Sequence, residues 1–433
     1  MNLPRDAIAT VSFVDQYCAV YQNLFPEVRS FECFKFLHLG MISEIKRKSL
    51  PAIARAVGLE SSQSLHHFLA NSPWDIETVR QQRIELIKLA LKEREIILCI
   101  DETGDNKKGK STDYVARQYI GNLGKTENGI VSVNAYGVLE GITFPLIFKI
   151  FKPKSRLQEK DVYKTKPRLA IEIIHELIAM GFKFRLVLAD SLYGESGDFI
   201  EALNQHQLQF VVAIRSNHGV WMPQGWRVRY TRWKKFERVF SNGDTQGRYI
   251  REIVFGKRRH LRYWQITTDP VGLPENCTWF IMTNLVGDIQ KSVGNNYGLR
   301  TWIEYGFKQA KDELGWADYR VTDYQTIERW WEIVCSAYLM VSLQSQIFKE
   351  ADSRQQFTST FDKLERQFCQ HQWWDEGRGW KNILNNLRLI IQPTIFFHLI
   401  TPWLKVFQIP MLKQGFFHLI DIMNKFNAYV PDG

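Results

Sequence analysis

Apolar positions recur every three to four residues through most of residues 1–92, a spacing that predicts helices with loosely defined breaks. Within this region KSLPAIARAVGLESSQSLHHFLANSPWD (48–75) is the most structured pattern. Pro51 suits a helix start, Gly58 a stop, and Ser61 or Ser62 can cap a second helix. Two short helices around a glycine-containing turn have the outline of a helix-turn-helix. A plain helical hairpin fits equally well, because the second helix carries no dense row of Arg or Lys.

From about residue 93 the period changes. REIILCID (94–101) and FRLVLAD (184–190) are short apolar runs that each end on an aspartate, and IVSVNAYGVLEGITFPLIFKIF (130–151) reads as two strands joined by a tight turn at Glu140-Gly141. A helical pattern spans about 165–181, a short helix 198–205, and LQFVVAIR (208–215) is a further strand. A meander followed by β-α-β units implies an α/β fold, a mixed β-sheet with helices on its faces. Residues 219–285 alternate aromatic or β-branched positions with Arg and Lys, with a turn signal at Asn242-Gly243, and predict an antiparallel β insertion with one basic face. Helical patterns return to about 348, a polar stretch follows, and the tail is apolar and helical with FFHLI at both 396–400 and 416–420, expected to form core faces of two short helices. The resulting division is 1–92, a helical N-terminal region; 93–218, the first part of a sheet-based core; 219–285, the insertion; 286–348, the second part of the core; and 349–433, a helical C-terminal region.

Charge sharpens this outline. The 433 residues carry a formal net charge of +10, which favours an anionic partner. Six cysteines lie too far apart for a C-x-x-C pair and read as thiols of a reducing compartment. No basic segment followed by an apolar run opens the chain, and 389–404, interrupted by Pro393 and Pro402, is too short for a membrane span, so the expectation is a cytoplasmic protein without a membrane partner.

The chemistry gathers around three carboxylates. Asp101 and Asp190 follow apolar strands, where a sheet delivers polar groups to a shared crevice, although an aspartate there also starts turns. Asp101 leads into a loop containing Lys107 and Lys108. Glu304 lies in YGLRTWIEYGFKQAKDELGW (297–316), where Tyr297, Arg300, Glu304 and Lys311 share one face if the whole stretch is a single α-helix. On that helix Glu313 would face solvent. Three clustered carboxylates need a counter-charge, and hard oxygen ligands with open positions suit Mg²⁺, or Mn²⁺, with two such ions able to serve phosphodiester chemistry. The adjacent His66 and His67 lack a third ligand.

The spacing of Tyr297, Arg300, Glu304 and Lys311 resembles the Y-R-E-K signature of a group of bacterial insertion-sequence DDE transposases. IDET (100–103) and LADSLYG (188–194) resemble that family's two aspartate motifs, SLHHFLANSPWD resembles its leader, and the likeness spans about 93–345. The resemblance implies an RNase H-like core with a β insertion and cut-and-paste transposition. It implies Asp101, Asp190 and Glu304 as catalytic and metal-binding triad, two divalent ions, and Tyr297, Arg300 and Lys311 contacting DNA near the scissile phosphate. It also implies a homodimer that holds element ends and target DNA, acting at the nucleoid. In some relatives an aromatic of the insertion holds a flipped base; here Trp221, Trp226 and Trp233 are candidates, as each is also for simple packing. Two rivals keep parts of this reading: an RNase H-like nuclease without strand transfer, and a transposase-derived DNA-binding protein that has lost catalysis.

Overall fold

The computed structural model describes residues 5–109, 111–239, 245–287, 289–345, 347 and 379–431. Asn242-Gly243, most of the polar stretch after 348 and Cys369 lie outside the described residues. The chain divides into two compact units, one formed by 93–110 and 114–306, the other by 1–92, 111–113 and 307–433.

The first unit is built on one eleven-stranded sheet. β1 (Ile96–Asn106), β2 (Ala116–Ile120), β3 (Lys125–Leu139) and β4 (Ile142–Ile150) are antiparallel, with β3 pairing all three others. Glu140 and Gly141 make the β3–β4 turn with φ of 50° and 78°, the left-handed pair that a two-residue hairpin requires. β5 (Phe184–Ala189) runs parallel to β1, and β6 (Phe210–Ile214) parallel to β5. The order β4-β3-β1-β5-β6 is RNase H-like. β7 (Val228–Tyr230), β8 (Lys234–Val239), β9 (Thr245–Phe255), β10 (Arg262–Thr267) and β11 (Thr278–Thr283) come from the insertion, and β11 pairs with β6. The insertion therefore lengthens the same sheet rather than folding apart from it. In the linking segments this unit holds short helices and a helix packed on β3 and β4, Lys166–Ala179.

Two details differ from the sequence pattern. β1 does not stop at Asp101 but continues five residues to Asn106, because β3 is long enough to pair with it down to Gly129. The stretch 297–316 is not one helix. A helix over Gln290–Gly298 ends first, Leu299 and Arg300 form a joint, a second helix covers Thr301–Lys308, and Gln309–Glu313 is a π-helical turn.

The second unit is helical. In chain order α1 (Ser12–Ala19), α2 (Val28–Ile42), α3 (Leu50–Ala56), α4 (Gln63–Ala70) and α5 (Ile76–Leu91) come first. Pro51 sits in the first turn of α3, and Gly58 follows that helix at φ 79°, as the pattern predicts. The remaining α-helices among the described residues are α6 (Lys166–Ala179), α7 (Ser191–Gly194), α8 (Gly197–Gln205), α9 (Gln290–Gly298) and α10 (Thr301–Lys308), then α11 (Tyr324–Leu343), α12 (Trp380–Val406) and α13 (Pro410–Met423). α11 is the buried centre of the helical unit, packed on α2 and α5. Its Glu332 is fully buried and is matched by Arg83 at 2.5 Å and Arg80 at 3.2 Å from α5.

Glu313 is not a solvent residue. Its carboxylate meets Lys381 at 2.5 Å and Arg388 at 2.8 Å on α12, which holds it below the usual glutamate range despite partial burial. The π turn changes the helical phase on which the solvent expectation rested. The FFHLI copies do not form core faces either. Phe396, Leu399, Phe417 and Leu419 are 40–51% exposed, and the copies meet each other through Phe397, 5.8 Å from Phe416 and 5.1 Å from Phe417. α12 runs unbroken through Pro393 and Pro402 for 27 residues. By length and composition it is long and apolar enough to cross a membrane, contrary to the sequence reading; a lone helix of this kind is weak evidence for a span.

Candidate active site

Asp101 sits in the middle of β1 and Asp190 immediately after β5, on neighbouring parallel strands. Asp190 caps α7, accepting the Leu192 amide at 2.8 Å, so its carboxylate is oriented by the backbone that follows it. The SLYG turn is tightly seated. A Cβ on Gly194 would lie 1.9 Å from the Ala213 carbonyl oxygen of β6, so only glycine lets α7 lie that close to the sheet.

One oxygen each from Asp101, Glu102 and Asp190 can be chosen so that all lie within 4.8 Å of one another; this is the only such group of possible metal ligands among the described residues. Burial pushes the Asp101 carboxyl up to about 8. Arg300 opposes the shift, and the charges of Asp190 and Glu102 add to it. Burial raises Asp190 as well, with Glu102 adding and Arg300 opposing. Such a site gathers negative charge faster than the protein compensates it, and a divalent cation fits that donor set.

Arg300 is the main compensating group. From the joint between α9 and α10 it donates to Asp101 Oδ2 at 2.7 Å and to Glu304 Oε1 at 2.5 Å. It also hydrogen-bonds the Tyr297 phenol, whose pKa burial raises and Arg300 lowers. Glu304 is thus tied to Asp101 through one guanidinium rather than lying in the carboxylate cluster, and half of its side chain is exposed. α10 reaches this position because Gly306 faces Tyr136 of β3: a Cβ there would come within 2.8 Å of the ring.

The other expected residues are more scattered. Lys107 and Lys108 follow the end of β1, with the Lys107 amide bonded to Asn128 at 2.9 Å. Lys311 falls in the π turn, in the helical unit. Among the insertion tryptophans, Trp226 has Lys257 above its ring at 5.8 Å and Trp233 lies under Arg251 at 4.3 Å, whereas Trp221 is 91% exposed.

Glu102 is the member that strand alternation hides, since it follows Asp101 and should point to the opposite face. Its carboxylate receives Lys166 Nζ of α6 at 3.1 Å and the Tyr193 hydroxyl at 3.1 Å. The only sequence signal for it is the doubled acid in IDET.

Residues 21–238 match the family described as DDE superfamily endonuclease, and residues 161–340 match the family described as transposase DDE domain. A probable transposase for insertion sequence element IS701 from Microchaete diplosiphon is 60% identical over 329 residues, which cover 76% of this chain and 87% of that protein. The chain belongs to the DDE transposases. The first match includes Asp101 and Asp190, the second Asp190 and Glu304, so the two overlap on the second aspartate. DDE transposases act on DNA with the help of divalent metal ions, and the acidic cluster offers a donor set for one.

Proposed function

We propose that this transposase binds the terminal inverted repeats of its insertion sequence, cuts the DNA at the element ends and joins the freed 3′-hydroxyls to target DNA. It would do so in the bacterial cytoplasm, at the nucleoid, as a homodimer holding two ends, and within the Y-R-E-K group. Asp101, Asp190 and Glu304 are the catalytic carboxylates of this reading. The observation that carries it is the bridge from buried Asp101 through Arg300 to Glu304, beside Asp190, in a chain of DDE transposase family.

Two Mg²⁺ ions, or Mn²⁺ in their place, would activate the attacking water or 3′-hydroxyl and stabilise the leaving oxygen. Asp101 and Asp190 hold their carboxylates toward one point because β1 and β5 are parallel neighbours. Arg300 can exchange one of its two carboxylate partners for a phosphate oxygen, since a guanidinium forks equally well onto either. That exchange frees Glu304, already half exposed, to turn toward the aspartates. Tyr297 hydrogen-bonds the same guanidinium and helps to hold it. Lys107, Lys108 and Lys311 add positive charge for the DNA backbone, and among the tryptophans exposure favours Trp221 over Trp226 and Trp233 as a base-stacking group.

The test is direct. Protein, Mg²⁺ and DNA carrying the element ends should yield excised and joined products. Asp101→Asn, Asp190→Asn and Glu304→Gln should each reduce cleavage by about a thousandfold or more while end binding persists. Cleavage without joining would favour the nuclease, binding without cleavage an inactive DNA-binding descendant, and normal cleavage by Glu304→Gln would remove it from the triad.

A further inference from the structure

We infer that Glu102 is a metal-facing carboxylate of this site, and that Asp101, Glu102 and Asp190 together hold the first divalent ion before Glu304 takes part. The inference rests on the metal-site reading above and adds to it a residue and an order of assembly.

Ligand oxygens around Mg²⁺ lie 2.0–2.1 Å from the ion, so two of them are at most about 4.2 Å apart. Three oxygens in an octahedral shell include at most one such opposite pair, the others being about 2.9 Å apart. The chosen oxygens of Asp101, Glu102 and Asp190 lie within 4.8 Å of one another, so rotation of these side chains has to draw them in onto the ion. Glu304 is not in that group; its Oε1 is engaged by Arg300.

A plain surface ion pair with Lys166 would not explain the placement of Glu102. Lys166 is on one carboxylate oxygen and the Tyr193 hydroxyl on the other, and both groups are themselves fixed: Lys166 opens α6, and Tyr193 is buried in the α7 turn that Asp190 caps. An ionised carboxylate has about four lone-pair directions. One donor on each oxygen sets its orientation and leaves capacity for a cation. Lys166 and Tyr193 are therefore positioning residues, the outer partners that a ligating carboxylate needs. The same α7 turn orients Asp190 through the Leu192 amide and Glu102 through Tyr193, so the two carboxylates are aligned by one element.

The experiment is Mn²⁺ binding to the full chain without DNA, followed by electron paramagnetic resonance of free Mn²⁺, with metal-free melting curves to establish folding. Glu102→Gln should weaken Mn²⁺ binding by about tenfold or more, and Tyr193→Phe, which removes only the hydroxyl donor, by about tenfold. Glu102→Asp should recover part of the loss. Glu304→Gln should bind Mn²⁺ within about twofold of wild type. Wild-type affinity in both Glu102→Gln and Tyr193→Phe overturns the inference, as does loss of Mn²⁺ binding in Glu304→Gln or its absence in the wild-type chain without DNA. If Asp101→Asn and Asp190→Asn lose Mn²⁺ while Glu102→Gln keeps it, the metal-site reading stands and only the role of Glu102 falls. If the two aspartate variants also keep it, the metal-site reading itself fails.

Discussion

Asp101 carries the clearest consequence at the scale of a single residue. Its carboxyl is raised from an ordinary 3.8 to about 8, chiefly by burial. Between those values the folded chain holds a proton that the unfolded chain has released, so this group's contribution makes stability fall as pH rises from about 4 to about 8. Burial raises the neighbouring Asp190 carboxyl in the same direction, so the two carboxyls are expected to titrate together. A divalent ion competes for the same oxygens. The rise in melting temperature on adding Mn²⁺ should therefore be a few degrees larger at pH 8 than at pH 6. Metal-free calorimetry across that range should show a flatter slope for Asp101→Asn; an unchanged slope would assign the titration elsewhere. The two aspartates were legible in the sequence because each closes a short apolar run, although β1 itself continues past Asp101. Glu102 was not, because strand alternation sends it to the wrong face and only Lys166 and Tyr193, distant in sequence, bring it back. Glu313 was misread for a related reason: its partners Lys381 and Arg388 lie some seventy residues away on α12.

Among the elements, α10 matters most, since it carries Glu304 to the sheet. Its approach depends on Gly306, where a Cβ would lie 2.8 Å from the Tyr136 ring on β3. Gly306→Val should push α10 outward and move Glu304 by a fraction of an ångström to an ångström. A displacement of that size costs about a hundredfold in rate when the group acts on reacting atoms. Cleavage by Gly306→Val should fall accordingly with end binding retained, and Tyr136→Leu in the same chain should restore part of it by removing the ring. A rate unaffected by Gly306→Val would mean that the position of α10 is not critical. The strands of the first unit were legible because their apolar runs are short and bounded by turn residues, as in the Glu140-Gly141 hairpin. β2 was not, because ARQYI alternates intermediate and exposed positions and acquires strand structure only by pairing with β3. Nor was the break at Leu299-Arg300. Periodicity reports a face, and a joint that preserves the Arg300–Glu304 pairing leaves that pattern almost intact. The buried Arg83–Glu332 pair was hidden likewise, since helix patterns do not show which charges face each other.

On the scale of the whole molecule, the insertion extends the sheet and adds positive charge. β8 illustrates how: Phe236 points into the unit while Lys234 and Lys235 are exposed, and Arg227 and Arg232 are exposed nearby. With a net charge of +10 the chain has a general attraction for DNA, so the question is whether this surface neutralises phosphates or is only solvated. Salt dependence separates the two. Each phosphate neutralised on duplex DNA releases counterions and adds about 0.9 to the slope of log K against log salt, whereas a cation outside the interface changes the slope little. Replacing Arg232, Lys234 and Lys235 together by alanine should therefore lower the slope for end DNA by about 0.9 for each phosphate left without its cation, and should weaken binding more at low salt than at high salt. Arg251 is a useful contrast, because its guanidinium stacks on Tyr230 and Trp233 at 4.3 Å from each and so supports the insertion from within. Arg251→Ala should destabilise the insertion, detectable as faster proteolysis of residues 219–285, before it alters the salt slope. A triple variant with wild-type slope and affinity would show the basic strand to be a solvated face and leave DNA binding to the region around Arg300, where the positive charge is already committed to Asp101 and Glu304.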